Sequence, residues 1–327
     1  MPPVNRKQPA RAESSESTYT LMDFMRSYPD DEACLQALWR KRYAPDGEHA
    51  HCPSCGVVRS FKRYESAQQR QAWNCTACGH YLYPTAGTIF HKSSTSLHLW
   101  FYAMYLMAST RCGISAKQLE RELGVTYKTA WRMAHLIRHE LMEQGDEPMS
   151  GTVEMDETWV GGRPRYRRGE RPKDDLGRTK KGPRPATHRR QKQPVFGMVE
   201  RGGRVMAVTV PSVRKSTLLP HVEERVLPAT TVYTDELLSY TGLKAKGYHH
   251  RRIAHKERVY VSGDVHTNTI EGFWSLTKRG IGGVYHSVSA KHLQGYLNEY
   301  AWRYNHRKDR RPMFETLLRR AATTRTA

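Results

Sequence analysis

Asp156, Asp235 and Glu271 occupy places where side chains from distant parts of a chain can converge. Asp156 lies inside the strand-like run VEMDETW, Asp235 ends the run VYTD, and Glu271 opens a helix-like segment in HTNTIEGFW. Three carboxylates meeting in space would hold two Mg²⁺ or Mn²⁺ ions. Such a pair activates an attacking oxygen and stabilises a leaving one during in-line phosphoryl transfer. Mg²⁺ takes oxygen ligands and keeps several waters, so carboxylates suit the centre better than histidines. Taken singly, an aspartate at a strand end is more often a cap or turn residue; the weight comes from the set. Two further acids flank Asp156. The period of a strand puts Glu154 on its face, one step away, and Glu157 on the opposite face.

A second metal chemistry is written in cysteine. Cys52-Pro-Ser-Cys55-Gly and Cys75-Thr-Ala-Cys78-Gly are separated by 19 residues. Two such pairs can close a tetrahedral four-thiolate site around a structural Zn²⁺. Gly56 and Gly79 permit the tight turn after each pair, and runs at 57–63 and 71–73 could supply a small sheet, making a zinc ribbon. The plainer readings are a pair of disulfides or unrelated core cysteines. Cys34 and Cys112 fall outside the pattern and read as small buried apolar residues.

The stretch SAKQLERELGVTYKTAWRMAHLIR has the form of a helix-turn-helix: a helix near 115–123, a turn at Gly124, and a second helix from near Thr126. Leu119, Leu123, Val125, Ala130, Met133 and Ile137 would form its core, leaving Lys128, Thr129 and Arg132 on a face suited to the major groove. A plain helical hairpin is the competing reading.

These residues must be carried by a soluble frame. The 327 residues hold 53 Lys and Arg against 32 Asp and Glu, a net charge of +21 that points to a polyanionic partner such as nucleic acid. The most apolar stretch, 97–108, is too short to cross a bilayer and contains His98. The N-terminus lacks the apolar core of a secretory signal, so the chain reads as cytoplasmic and nucleoid-associated, in a compartment where cysteines bind metal more readily than they pair.

Residues 1–17 read as a disordered tail and 18–92 as an N-terminal helix (near 20–40) with the zinc ribbon. Residues 93–148 read as the helix-turn-helix module. A polar break with Gly, Pro and Ser at 144–151 marks the main boundary. Beyond it come short runs rich in Val, Thr and aromatics at 152–160, 195–200, 204–210 and 230–234, with a helix at 215–226. From Asn268 the pattern is helical again, with Leu293, Leu297, Tyr300 and Tyr304 three or four residues apart. This order describes an α/β domain over 151–310, followed by a basic tail at 311–327. Within it, residues 163–192 carry 13 Lys or Arg against three acids, with four prolines and three glycines. That segment reads as a basic insertion that orders on phosphate backbone. Lys278, Arg279 and Gly280-Ile-Gly-Gly283 read as a basic turn after the Glu271 helix, with Tyr285 and His286 following it. The turn contacts a DNA end or is an ordinary connection with solvated charges.

The order Asp156, Asp235, then Glu271 after 35 intervening residues resembles the DDE triad of transposases and retroviral integrases. Lys278, seven positions beyond Glu271, resembles the lysine that often follows that glutamate by two helical turns. The cysteine pairs, HYLYPTAGTIF at 80–90 and the segment 266–305 resemble a bacterial insertion-sequence family with an N-terminal zinc ribbon. The resemblance spans roughly residues 20–310 and implies an RNase H-like catalytic domain. Some relatives use an asparagine near the third acidic position. Asn268, one helical turn before Glu271, therefore stands beside it as a candidate third ligand, with Glu271 favoured because a formal charge binds Mg²⁺ better than an amide oxygen.

The function so implied is a DNA transposase. Water cuts the element's end to free a 3′-hydroxyl, which then attacks target DNA. Double-stranded DNA (terminal inverted repeats and target) is the partner, and pairing two ends implies a homo-oligomer. The alternatives are a non-catalytic DNA-binding regulator and a nuclease of the same fold.

Overall fold

The computed structural model describes residues 19–64, 71–161, 192–253 and 266–323. It divides into two compact units, Met1–Glu143 with His306–Ala327, and Gln144–Asn305. The expected disordered tail, and all of the basic insertion except Lys192, lie outside the described residues.

The first unit begins with α1 (Leu21–Ser27), whose start is closed by a reciprocal capping box between Thr20 and Asp23, and α2 (Asp31–Arg42), capped by Asp30. The single helical segment expected near 20–40 is thus two helices. Pro29 lies between them and disfavours helical backbone at the preceding residue, so Tyr28 leaves the helix at φ −135°. Four short strands follow: β1 (His49–His51), β2 (Val58–Tyr64), β3 (Ala72–Cys75) and β4 (Tyr81–Leu82), paired antiparallel in chain order. Trp39 of α2 stacks on Trp73 of β3 at 4.6 Å, and the Arg63 guanidinium covers the same ring. Burying two indoles in one stack supplies much of the apolar area that so small a sheet lacks.

Next come α3 (Leu97–Ser109), which is largely buried, α4 (Ala116–Leu123) and α5 (Tyr127–Leu136), with a wider helical turn continuing α5 over Ile137–Leu141. Gly124 turns the chain between α4 and α5 at φ +63°, a conformation that glycine adopts without strain. The expected basic tail differs from the structure: it contains a helix, Met313–Thr323, designated α9 below, which packs on α2 and α3. Met313, Phe314, Leu317, Leu318, Ala321 and Ala322 form an apolar stripe, and Phe314 sits among Phe24, Tyr28 and Phe101. Of the arginines within the helix, Arg319 is exposed and Arg320 donates to the Leu141 and Glu143 carbonyls. The zinc-ribbon and helix-turn-helix segments, anticipated as separate modules, share this unit.

The second unit is built on five strands: β5 (Thr152–Val160), β6 (Gln193–Glu200), β7 (Val205–Thr209), β8 (Thr231–Thr234) and β9 (His249–Arg252). Their spatial order is β7-β6-β5-β8-β9, with β5, β6 and β7 antiparallel and β8 and β9 parallel to β5. This is the RNase H-like sheet. Alternation along the strands divides it into two faces. Val153, Met155, Phe196 and Met198 pack with Leu218, Leu219 and Val222 of α6 (Lys215–Arg225). On the other face Val195, Val199 and Val160 pack with α7 (Asn268–Gly280) and α8 (Leu293–His306). The sequence reading missed β9, because its residues, HHRR, lack the apolar alternation that marks a strand.

The glycine-rich segment after α7 also differs from expectation. It is no open turn: the helix continues as a wider helical turn over Ile281–Tyr285 and breaks at His286, φ +60°. A Cβ on Gly280 would come 1.8 Å from the Tyr300 hydroxyl, so this glycine serves close packing against α8. Among the described residues no helix is long and apolar enough to cross a membrane.

Candidate active site

Two parallel neighbours, β5 and β8, define the site. Their register pairs Thr152 with Thr231, Val153 with Val232 and Glu154 with Tyr233. Two residues further along each chain bring Asp156 and Asp235 level, just where β8 ends. Ligand oxygens of Asp156, Asp235 and Glu157 lie within 4.8 Å of one another. The sheet therefore brings two aspartates together from sequence positions far apart.

Glu271 approaches from the first turn of α7 and receives a hydrogen bond from the Thr267 hydroxyl at 2.9 Å. Its charge acts on Asp156. Burial pushes the Asp156 carboxyl up to about 6, reinforced by the charge of Asp235 and then by that of Glu271. Asn268 is exposed at the first residue of α7. Glu271 is exposed in the same turn and stands outside the group formed by the Asp156, Glu157 and Asp235 oxygens.

Glu157 sits on the opposite face of β5, as strand alternation requires, yet it joins the cluster. Its Oε2 accepts a hydrogen bond from the buried Tyr240 hydroxyl at 2.6 Å. Burial raises its carboxyl to about 7 against the lowering effect of that bond, with Asp235 and Asp156 adding repulsion. Asp235 also accepts from the Leu237 backbone N–H at 3.0 Å, so it holds the turn after β8 as well as facing the cluster.

The approach of α7 depends on a residue the sequence reading did not single out. Gly197 pairs with Asp156 across β5 and β6. A Cβ there would lie 2.3 Å from the Trp274 ring and 3.0 Å from Ile270, so only a glycine lets α7 settle this close to the strand. Lys278 and Arg279 lie exposed in the last turn of the same helix.

In the first unit the four cysteines of the paired knuckles converge. Cys52 Sγ lies 3.6 Å from Cys78 Sγ, and Cys55 Sγ lies 4.0 Å from Cys75 Sγ. Four thiolates at about 2.3 Å from a tetrahedral Zn²⁺ would stand about 3.8 Å apart, so the donor set fits that ion. The two knuckles share one geometry: the N–H of Gly56 reaches the Cys52 carbonyl, and that of Gly79 the Cys75 carbonyl, each at 2.9 Å. Both glycines are at positive φ, +71° and +73°. The His80 backbone N–H beside Cys78 lowers its thiol to about 6, while the hydrogen bond with Cys78 pushes the Cys55 thiol up to about 12. Cys34 is buried as expected, whereas Cys112 is exposed, because it lies in the turn that leaves α3.

On α5, Lys128 and Arg132 are exposed. Thr129 is engaged differently: its N–H donates to the Thr126 hydroxyl at 3.3 Å, and the two hydroxyls lie 3.0 Å apart. Its N–H is held by the Thr126 cap, and it projects less into solvent than the two basic residues.

Known proteins carry the same two parts. Residues 148–305 match the ISXO2-like transposase domain, and residues 29–81 match the transposase zinc-ribbon domain. An uncharacterized protein in transposable element ISH50 of Halobacterium salinarum is 30% identical over 277 residues, covering 83% of this chain and 91% of that one. An uncharacterized transposase-like protein of Haemophilus influenzae is 35% identical over 102 residues, covering 31% of this chain and 81% of that one. Among solved structures, a pre-cleavage Mos1 transpososome shares 12% identity over 69% of this chain and 79% of that one, at a TM-score of 0.25. A likeness that distant adds nothing to the strand order given above.

Proposed function

The chain belongs to the ISXO2-like transposases, and from that membership we propose that it cuts and joins DNA at insertion-sequence ends using Asp156, Asp235 and Glu271. The observation that carries this reading is the β5–β8 register, which sets the two aspartates level beneath the first turn of α7. Asp156, Asp235 and Glu271 would hold two Mg²⁺ or Mn²⁺ ions, which supply Lewis acidity and an activated oxygen for phosphoryl transfer. Burial, with the charges of Asp235 and Glu271 behind it, raises the Asp156 carboxyl, which fits this role, since buried and crowded carboxylates are relieved by cations.

The reaction runs in two displacements. In the first, the oxygen of a water forms a bond to phosphorus at the element's end while the bond from phosphorus to the 3′-oxygen breaks. This leaves a 3′-hydroxyl and a 5′-phosphate. In the second, that 3′-oxygen attacks a target phosphodiester and expels the target's own 3′-oxygen, so bond number is conserved and no covalent protein intermediate is required. Glu157, held by Tyr240, keeps a carboxylate oxygen within 4.8 Å of those of Asp156 and Asp235.

Cys52, Cys55, Cys75 and Cys78 would hold a structural Zn²⁺, leaving no open position for chemistry. Lys128 and Arg132, with Arg279 and Lys278, would contact the DNA backbone or base edges of the terminal repeats, and the net charge of +21 supports that partner. Joining two ends to one target calls for more than one active site, so the working form on DNA is a homo-oligomer, acting at the nucleoid.

The test uses the full chain, Mg²⁺ and a labelled duplex carrying the element's own terminus, comparing wild type with Asp235→Ala. Cleavage and joining by wild type, with binding alone by the variant, is the expected result. Equal binding with no cutting by either protein under any divalent metal would sink the catalytic reading.

A further inference from the structure

Glu154 is wholly buried, two residues before Asp156 on the same face of β5. A carboxylate removed from water is costly unless its lone pairs are met. Here both oxygens are used. Oε2 accepts from the backbone N–H groups of Thr269 and Ile270 at 2.8 and 3.1 Å. Oε1 accepts from the Thr269 hydroxyl at 2.8 Å and from Arg201 Nε at 2.7 Å, with His266 Nδ1 at 3.2 Å.

The two N–H groups belong to the first turn of α7, the turn that carries Glu271. A helix start normally takes its cap from the adjacent residue. Thr267 makes no such bond; its hydroxyl is given to Glu271 instead. The cap is therefore supplied by a strand more than a hundred residues earlier, and as an anion it also matches the positive end of the helix dipole. Arg201 tightens the joint, donating to the His266 carbonyl at 3.0 Å while its guanidinium lies over the Tyr233 ring. Tyr233 is the residue of β8 paired with Glu154.

We propose that Glu154 is a positioning residue. By fastening the first turn of α7 to β5, it sets the distance between Asp156 on the strand and Glu271 on the helix. This rests on the reading that these carboxylates bind divalent metal, and the cluster works only when that distance suits the ion. Loosening the joint spreads the ligands without removing any of them.

The experiment measures Mn²⁺ binding by calorimetry on the full chain without DNA, then cleavage of the terminus duplex across a Mg²⁺ titration. Wild type, Asp235→Ala, Glu154→Gln and Thr269→Val are compared. Glu154→Gln keeps the shape but loses the charge, and Thr269→Val removes only one donor. Partners that orient metal ligands are worth roughly 10- to 100-fold in affinity or activity. Glu154→Gln is expected to weaken Mn²⁺ by about that factor, and Thr269→Val by less, with duplex affinity unchanged and cleavage partly restored at high Mg²⁺. If Asp235→Ala loses Mn²⁺ while a folded Glu154→Gln binds it like wild type, Glu154 is only a structural ion-pair member and the proposal fails. If wild type and Asp235→Ala bind Mn²⁺ alike, the metal reading itself has failed. Should Glu154→Gln not fold, Thr269→Val decides by the same comparison.

Discussion

Gly197 stands opposite Asp156 in the β5–β6 ladder, and the Trp274 ring fills the space a side chain would take there. The neighbour of the strand that carries Asp156 is thereby pressed against the helix that carries Glu271. Gly197→Ala is expected to push α7 outward. Overpacking of this kind costs about 1–3 kcal/mol, readable as a lower urea midpoint. A shift of about 1 Å at reacting groups can cost on the order of 100-fold in rate, so end cleavage should fall further than stability predicts. A variant with wild-type cleavage would show that the close approach is packing alone.

The cysteine cluster makes a separate prediction about the first unit. The purified full chain should carry about one zinc ion, and Cys75→Ala should lose it. Cys75 closes β3, two residues after Trp73, whose ring stacks on Trp39. Loss of the ion should therefore change tryptophan fluorescence and bring the first unit's melting transition down, since a structural zinc contributes folding free energy outright. Retention of both signals in excess chelator, with no metal found, would exclude the structural role.

Much of this was legible in sequence because it is local. The limits of β5 follow from its Val and Thr content, the α4–α5 turn from Gly124, and the knuckles from cysteine spacing. What stayed hidden depends on partners remote in the chain. Among the described residues β9 is an edge strand, paired with β8 alone, and its polar HHRR run shows no alternation to betray it. The helix α9 looked like a tail until its apolar stripe met Phe24 and Tyr28. Glu154 and Glu157 could be assigned to faces by alternation. Nothing local, however, says that one meets a helix start and the other the Tyr240 hydroxyl.

Glu157 and Asp156, both raised by burial, give a pH dependence to the metal-free protein, of which the Glu157 share is the larger. The Glu157 carboxyl stands at about 7, above its ordinary 4.5, chiefly through burial. A group raised on folding contributes stability that is complete below its unfolded value and lost as pH rises through the folded one. The window here runs from about pH 4.5 to 7. Glu157→Gln, which keeps an acceptor for Tyr240, should match wild type near pH 4.5. By pH 8 it should exceed wild type by on the order of 3 kcal/mol at most, taking about 1.4 kcal/mol per unit. Chemical denaturation in a chelating buffer at the two pH values reads this directly. A difference that stays constant with pH would mean the carboxylate ionises freely in the folded state.

The α4–α5 pair, read as a helix-turn-helix, predicts an ordered series on DNA. Lys128 and Arg132 are exposed on α5, while Thr129 is drawn into the cap made by Thr126. If the two basic residues meet phosphates, removing either should weaken terminus binding and reduce the slope of log K against log salt by about 1. If one of them reads a base edge, its loss should instead narrow the gap between terminus and random duplex by about 1–3 kcal/mol. Thr129→Val should do neither strongly. Its hydroxyl serves the cap region, and the Thr126 acceptor for the Thr129 N–H survives the change. Fluorescence anisotropy across a salt series, on terminus and scrambled duplexes, separates these outcomes. A Thr129→Val effect larger than that of Lys128→Ala or Arg132→Ala would mean that α5 meets DNA through its N-terminal turn rather than its basic face.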